Sequence, residues 1–128
     1  MERARIGVGM QAEHPVLRVL ESRSADDTLV LSVQGEIDLA TVDTLAAHLD
    51  HVCDRADAVT VDLRRVSFLD CLGLRQLLCL HQDGIASGCR VGFIQGPAVV
   101  RRLFELTGTL ATLSFSDAAA LQPAVSHA

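Results

Sequence analysis

Two apolar rhythms alternate along this chain, and their order constrains the fold more than any single motif does. Residues 16–20, 29–34, 59–63, 90–94 and 113–115 are short runs rich in Val, Leu and Ile, of the kind that forms strands. In 29–34, Leu29, Leu31 and Val33 point one way while Ser32 and Gln34 point the other. Between the later runs the apolar spacing becomes helical. Val42, Leu45, Leu49 and Val52 predict a first helix, capped by Asp38 or Thr41. A second helix is expected over about 72–86, closing near Gly88. A third opens at Gly96-Pro97, carries Val100, Leu103 and Phe104 on one face, and stops at Gly108. Asp117 starts a terminal helix. The resulting order is strand, strand, helix, strand, helix, strand, helix, strand, helix. Alternation after an initial hairpin predicts a small mixed α/β sheet with right-handed crossovers. Because 29–34 and 59–63 alternate apolar and polar residues, helices are expected mainly on one face.

A length of 128 residues fits one domain. We read 1–13 as a loose leader, 14–122 as the domain and 123–128 as a frayed tail. The chain is 49% apolar, but only 3% aromatic with no Trp or Tyr, which argues against a stacking platform for single-stranded nucleic acid. Its net charge is -5, and its 11 basic residues are all Arg, adjacent only at Arg64-Arg65 and Arg101-Arg102. No basic stripe marks a nucleic-acid footprint. No apolar run has the length of a membrane span, and the first ten residues lack a secretory apolar stretch, so a cytoplasmic location is expected. Cys53, Cys71, Cys79 and Cys89 form no CxxC pair and read as reduced thiols. Gly7-Val8-Gly9 lacks the third glycine of a nucleotide loop, and no cofactor is expected. His48 and His51, with Cys53 turned aside, make a poor metal site. A protein partner, or failing that a small ligand, is the expected binding target; monomer and weak dimer both stay open.

The most informative stretch is "FLDCLGL", residues 68–74. At 100° per residue, Leu74, Leu77, Leu78, His81 and Ile85 share one stripe, which should face the sheet. His81 on that stripe reads as a core histidine. Leu72, Gln76, Cys79 and Asp83 then face outward. Asp70 stands where an N-cap belongs, with its carboxylate placed to accept backbone N–H groups and to sit at the positive end of the helix dipole. Gly73 in the first turn costs helix stability, and Leu72 turns an apolar side chain to the outside. Together they suggest a docking surface. The alternative is that Gly73 relieves crowding against the preceding loop and Leu72 is one scattered surface residue. Cys71 at a helix start could serve as a nucleophile or redox sensor, although the neighbouring Asp70 opposes a thiolate. We expect a binding module and not an enzyme.

Three stretches, "GEIDLATVDTLAAHL" (35–49), "VTVDLRRVSFLDCLGLRQLL" (59–78) and "GPAVVRRLFELTG" (96–108), resemble the STAS domain of bacterial anti-sigma factor antagonists. The resemblance runs from about Val16 to Leu121 and implies a small mixed sheet with helices packed on one side. It implies a module that binds an anti-sigma factor of the histidine-kinase-like ATPase type, a serine kinase, and so frees a sigma factor. In phosphorylatable members the second helix opens with Asp, Ser, Ser or Thr, then Gly-Leu. Asp70, Gly73 and Leu74 match that pattern. Cys71 occupies the phosphoacceptor position and Leu72 the second hydroxyl position, so the usual switch is missing. The partner-binding residues implied are Asp38, Thr41, Asp70, Cys71, Leu72, Gly73 and Gln76. A second possibility is an orphan STAS module that binds another regulatory protein or a small ligand, with Cys71 redox-sensitive.

Overall fold

The structure, a computed structural model, describes residues 12–14 and 16–116. The start of the leader, the helix expected from Asp117 and the tail 123–128 lie outside the described residues. The strands β1 (Ala12–His14), β2 (Leu17–Arg23), β3 (Leu29–Ile37), β4 (Ala58–Leu69), β5 (Arg90–Ile94) and β6 (Phe115–Ser116) form one sheet in sequential order. The β1–β2 and β2–β3 pairs are antiparallel, and β3–β4, β4–β5 and β5–β6 are parallel. Helices α1 (Val42–Leu49), α2 (Cys71–Ser87) and α3 (Ala98–Thr107) make the crossovers. No helix among the described residues is long and apolar enough to cross a membrane.

Side chains of all three helices join one buried cluster with Leu17, Val19, Leu31, Val33, Val61 and Phe93 of the sheet. This is the one-sided packing that the alternation predicts. The opposite face is not wholly bare, since Val30 and Ile94 are buried there too. Three boundaries differ from expectation. Ala12–His14 pairs with β2 as an edge strand where a loose leader was expected; Ala12 sits opposite Val19. The first helix stops at Leu49, because His51 takes a left-handed backbone (φ 60°) and Val52–Asp54 tightens into a 3-10 turn. Leu113 precedes β6 and does not begin it, although it is buried.

The strand expected over 59–63 is twelve residues long. Its inward residues begin as Val59, Val61 and Leu63 and continue as Val66 and Leu69. Two register shifts against β3, between Ser32 and Gln34 and between Gly35 and Glu36, each insert one extra residue in β4. Asp62 pins the first: its Oδ1 accepts from Arg64 N and Nε, both at 3.0 Å, and its Oδ2 from the Arg64 guanidinium at 2.7 Å. Burial pushes the Asp62 carboxyl up, but the bonds from Arg64 outweigh it and hold the group below its usual range.

Helix α2 is rotated from the expected stripe. Its buried residues are Gly73, Leu74, Leu77, Leu80 and Gly84, while His81 is half-buried and Ile85 is 66% exposed. The two glycines explain the rotation. A Cβ on Gly73 would overlap Ile37 and Leu69, and one on Gly84 would overlap Val91 and the Cys89 carbonyl. The helix therefore settles on the sheet at both ends of its glycine-marked line and turns Ile85 outward. Leu77→Ala is expected to lower stability by about 2–5 kcal/mol, as a truncation of a fully buried leucine. Ile85→Ala should change it by less than about 0.5 kcal/mol. Urea denaturation of the two variants checks this, and equal losses would refute the rotation.

A charged cluster joins β2 to the end of the first crossover. Glu21 receives a bidentate bond from Arg55 (2.8 and 3.2 Å), and His48 Nε2 lies 3.0 Å from Glu21 without an aligned hydrogen bond. Burial holds the His48 pKa below its usual 6.5, against the opposing pull of Glu21. The Arg55 bond holds Glu21 below its usual 4.5 despite partial burial. Both groups make the fold acid-sensitive. Below about 6.5 the unfolded chain takes up a proton at His48 that the folded chain resists, so stability falls with pH. The contribution of Glu21 is complete above its unfolded pKa and disappears as pH falls through its lower folded one. His48→Gln should flatten the stability profile between about pH 7.5 and 5.5 and leave the later acid loss. Urea midpoints across pH provide the measurement.

Candidate functional site

Strands β3 and β4 end side by side, with Ile37 opposite Leu69. The residue after each is an aspartate, and each aspartate organises the helix that follows. Asp70 has an extended backbone, and its Oδ1 accepts from Leu72 N (3.0 Å) and Gly73 N (3.1 Å). Its own N–H donates to Ile37 O at 3.1 Å, which ties the start of α2 to the end of β3. Asp38 Oδ1 accepts from Ala40 N (2.9 Å) and Thr41 N (3.2 Å). The Asp38 carbonyl then accepts from Val42 N at 2.8 Å. Thr41 occupies the N-cap position of α1 but makes no side-chain cap bond, and the Asp38 carboxylate bonds the turn that leads into the helix instead of an N–H of the helix itself.

Thr41 is fully buried. Its hydroxyl donates to Glu36 O at 2.7 Å and accepts from Asp38 N at 3.0 Å, so it braces the loop from inside. Gly73 is buried as well, against Ile37 and Leu69. Neither offers a side chain to a partner, which corrects the expectation that they form part of the docking surface. For Gly73, relief of internal crowding is the reading that holds. Asp38, Asp70 and Gln76 are partly accessible, and Cys71 is exposed. Leu72 is 38% exposed and faces outward, as its helical position predicts.

The same edge carries apolar residues that periodicity did not single out. Leu39 follows β3 and is 76% exposed, Phe68 lies one residue before the end of β4 at 45%, and Val99 in the first turn of α3 is 60% exposed. With Leu72 they stand at the carboxyl ends of parallel strands, where open α/β sheets place their binding sites. These apolar side chains are exposed at the strand ends and are not part of the buried core. The signal for Phe68 was present in "SFLD": the broken alternation before Asp70 leaves Ser67 and Phe68 both outside. Among the described residues, no group of three or more His, Cys, Asp or Glu side chains is arranged to hold a metal ion. His48 faces Glu21, and His51 lies 3.2 Å from Asp54.

Asp70→Ala should cost about 0.5–2 kcal/mol through loss of the cap. Gly73→Ala should destabilise by about 1–3 kcal/mol despite the better helix propensity of Ala, because the methyl enters occupied space. Thermal or urea unfolding decides both, and a stabilised Gly73→Ala would contradict the close packing.

The STAS domain family profile matches residues 20–123. The anti-sigma-F factor antagonist RsfB of Mycobacterium tuberculosis is 35% identical over 80 residues, which make up 62% of this chain and 65% of that protein. The chain thus matches just under two thirds of that relative's length. The crystal structure of an anti-sigma factor antagonist from Mycobacterium paratuberculosis superposes with a TM-score of 0.70 at 29% identity, covering 77% of this chain and 84% of that one. The unphosphorylated form of the anti-sigma factor antagonist SpoIIAA shares the fold at a TM-score of 0.65 and 18% identity, over 80% of this chain and 90% of that one.

Proposed function

The chain belongs to the STAS domain family, and on that premise we propose that it is an anti-sigma factor antagonist. It binds an anti-sigma factor through the carboxyl edge of β3 and β4 and the opening of α2, and so frees a sigma factor for transcription. The partner is an anti-sigma factor of the histidine-kinase-like ATPase type. The protein acts by binding and not by catalysis. The similarity to proteins named as antagonists supports the general role. The observation that carries the site assignment is the first turn of α2: an exposed Cys71 and an outward Leu72 on a turn fixed by Asp70. A surface that offers a thiol and an apolar side chain beside a rigid cap suits a neutral protein contact.

The same turn argues for an unusual regulation. Neither Cys71 nor Leu72 has a hydroxyl for a serine kinase. Thr41, the nearest hydroxyl in α1's loop, is buried and already bonded. Ser67 is exposed, three residues before Asp70, and is the remaining candidate acceptor near the motif. We read the protein as held in its binding-competent form unless Ser67 takes over the role.

Affinity capture from cell extract should recover a histidine-kinase-like ATPase; recovery of a receptor or scaffold fragment alone would favour an orphan STAS module. With the captured anti-sigma factor and ATP, phosphopeptide mapping should find no phosphate on residues 71 and 72. Calorimetric titration should show Leu72→Glu weakening binding with little loss of thermal stability, because the side chain lies off the buried line of α2. Cys71→Asp should fold, since a carboxylate in the first turn gains about 0.3–1 kcal/mol from the helix dipole. Its charge must be desolvated at the contact, so binding should fall by about tenfold or more. Unchanged affinity for a folded Cys71→Asp chain would remove "FLDCLGL" from the interface.

A further inference from the structure

Leu39 stands in the loop that joins β3 to α1, and its side chain is 76% exposed. Turn positions favour Gly, Pro, Asn, Asp and Ser, so nothing in the loop calls for a leucine. Its side chain obtains almost no burial from the fold it belongs to. Its backbone, by contrast, is bracketed by hydrogen bonds. Thr41 Oγ1 donates to Glu36 O at 2.7 Å and accepts from Asp38 N at 3.0 Å. Asp38 Oδ1 accepts from Ala40 N and Thr41 N, the two residues that follow Leu39. The Asp38 carbonyl accepts from Thr41 N at 3.1 Å and from Val42 N at 2.8 Å. At the root of the loop Ile37 O accepts from Asp70 N, so the loop and the opening of α2 share one anchor. Thr41 is the hub of this arrangement, and it is fully buried.

We propose that Leu39 is a specificity-determining contact for the anti-sigma factor and that Thr41 is its positioning residue. The proposal rests on the antagonist reading given above and adds to it a residue outside "FLDCLGL". The exposed apolar residues at this edge come from four segments: Leu39 from the loop, Phe68 from β4, Leu72 from α2 and Val99 from α3. Strand and helix hold the last three in place. Leu39 alone lies off regular structure, and the bonds of Thr41 and Asp38 do that work for it. A side chain on a loop already fixed loses less freedom on contact than one on a loose loop. The surface that fits Leu39 is an uncharged apolar pocket, because a polar group buried against it would lose water without replacement.

Thr41 reaches the partner only through Leu39. It has no exposed surface, and from position 41 its hydroxyl ties residues 36 and 38, which closes the loop around position 39. Valine has the same shape without the hydroxyl, and would leave Glu36 O and Asp38 N without this partner.

Calorimetric titration against the histidine-kinase-like anti-sigma factor recovered by capture tests both halves. Leu39→Ala should weaken binding by about tenfold, the loss of most of one leucine's burial. Leu106→Ala, at a residue 72% exposed in the last turn of α3, should leave binding unchanged. Thr41→Val should weaken it by about fivefold, and Thr41→Ser, which keeps the hydroxyl, should bind as the parent does. In the Leu39→Ala background, Thr41→Val should have no further effect, since the side chain it orients is gone. In the free chain, hydrogen exchange at the Asp38 amide should be faster in Thr41→Val than in Thr41→Ser. Thr41→Cys replaces Thr41→Val if that chain does not fold. Parent affinity for Leu39→Ala, with Leu72→Glu weakened, would overturn the proposal and leave the antagonist reading standing. An equal loss from Thr41→Val with and without Leu39 would overturn the positioning role. No binding by the parent chain would remove the antagonist reading and this proposal with it.

Discussion

The close seating of α2 on the sheet is the contact on which the rest of the molecule depends. Gly73 lies against Ile37 and Leu69 at one end, and Gly84 against Val91 and the Cys89 carbonyl at the other. With a side chain at either place the helix would stand off the sheet, and Leu77 would lose part of its contact with the core. Gly73 carries a propensity penalty of up to about 1 kcal/mol relative to Ala. Packing outweighs it, since protein interiors tolerate little unfilled or doubly filled space.

That seating also sets what the opening of α2 presents. Once Gly73 is turned inward, the helical angle leaves Cys71 and Leu72 outside, next to the ends of β3 and β4. Asp70 is bonded to Ile37 on one side and to the first turn on the other. Thr41 bonds Glu36 and Asp38 from within. Residues that look like recognition elements in the sequence thus divide into two groups. Thr41 and Gly73 shape the edge from inside, while Leu72, Cys71 and the apolar Leu39 and Phe68 form its outer surface.

Much of this was legible because it depends on neighbours in sequence. The limits of α2 and α3 follow from Asp70, Gly88, Pro97 and Gly108, each acting on its own turn. The cap at Asp70 and the outward Leu72 needed only helical geometry. What escaped the reading depends on partners elsewhere. Strand β4 runs past Leu63 because Asp62 and Arg64 stabilise an extra residue, after which inward positions recur every third residue. Ile85 was assigned to the core because apolar spacing gives glycine no weight, and Gly84 takes that face. Ala12–His14 is too short to signal a strand without β2 beside it. The Glu21–His48–Arg55 cluster joins residues from separate elements, and no local pattern announces it.

The bonds of Asp70 to Leu72 N and Gly73 N have a kinetic meaning for any partner. The first turn of α2 is ordered as the chain folds, so its conformational entropy is already lost before an encounter. A partner meets a preformed edge and needs no local folding step to engage it. Encounter rates at such an edge vary little among related partners, and discrimination falls to how long each complex survives. On the proposed binding reading, the lifetime of a complex at this edge is set by how well a partner covers Leu72 and Phe68, not by how readily the helix can rearrange.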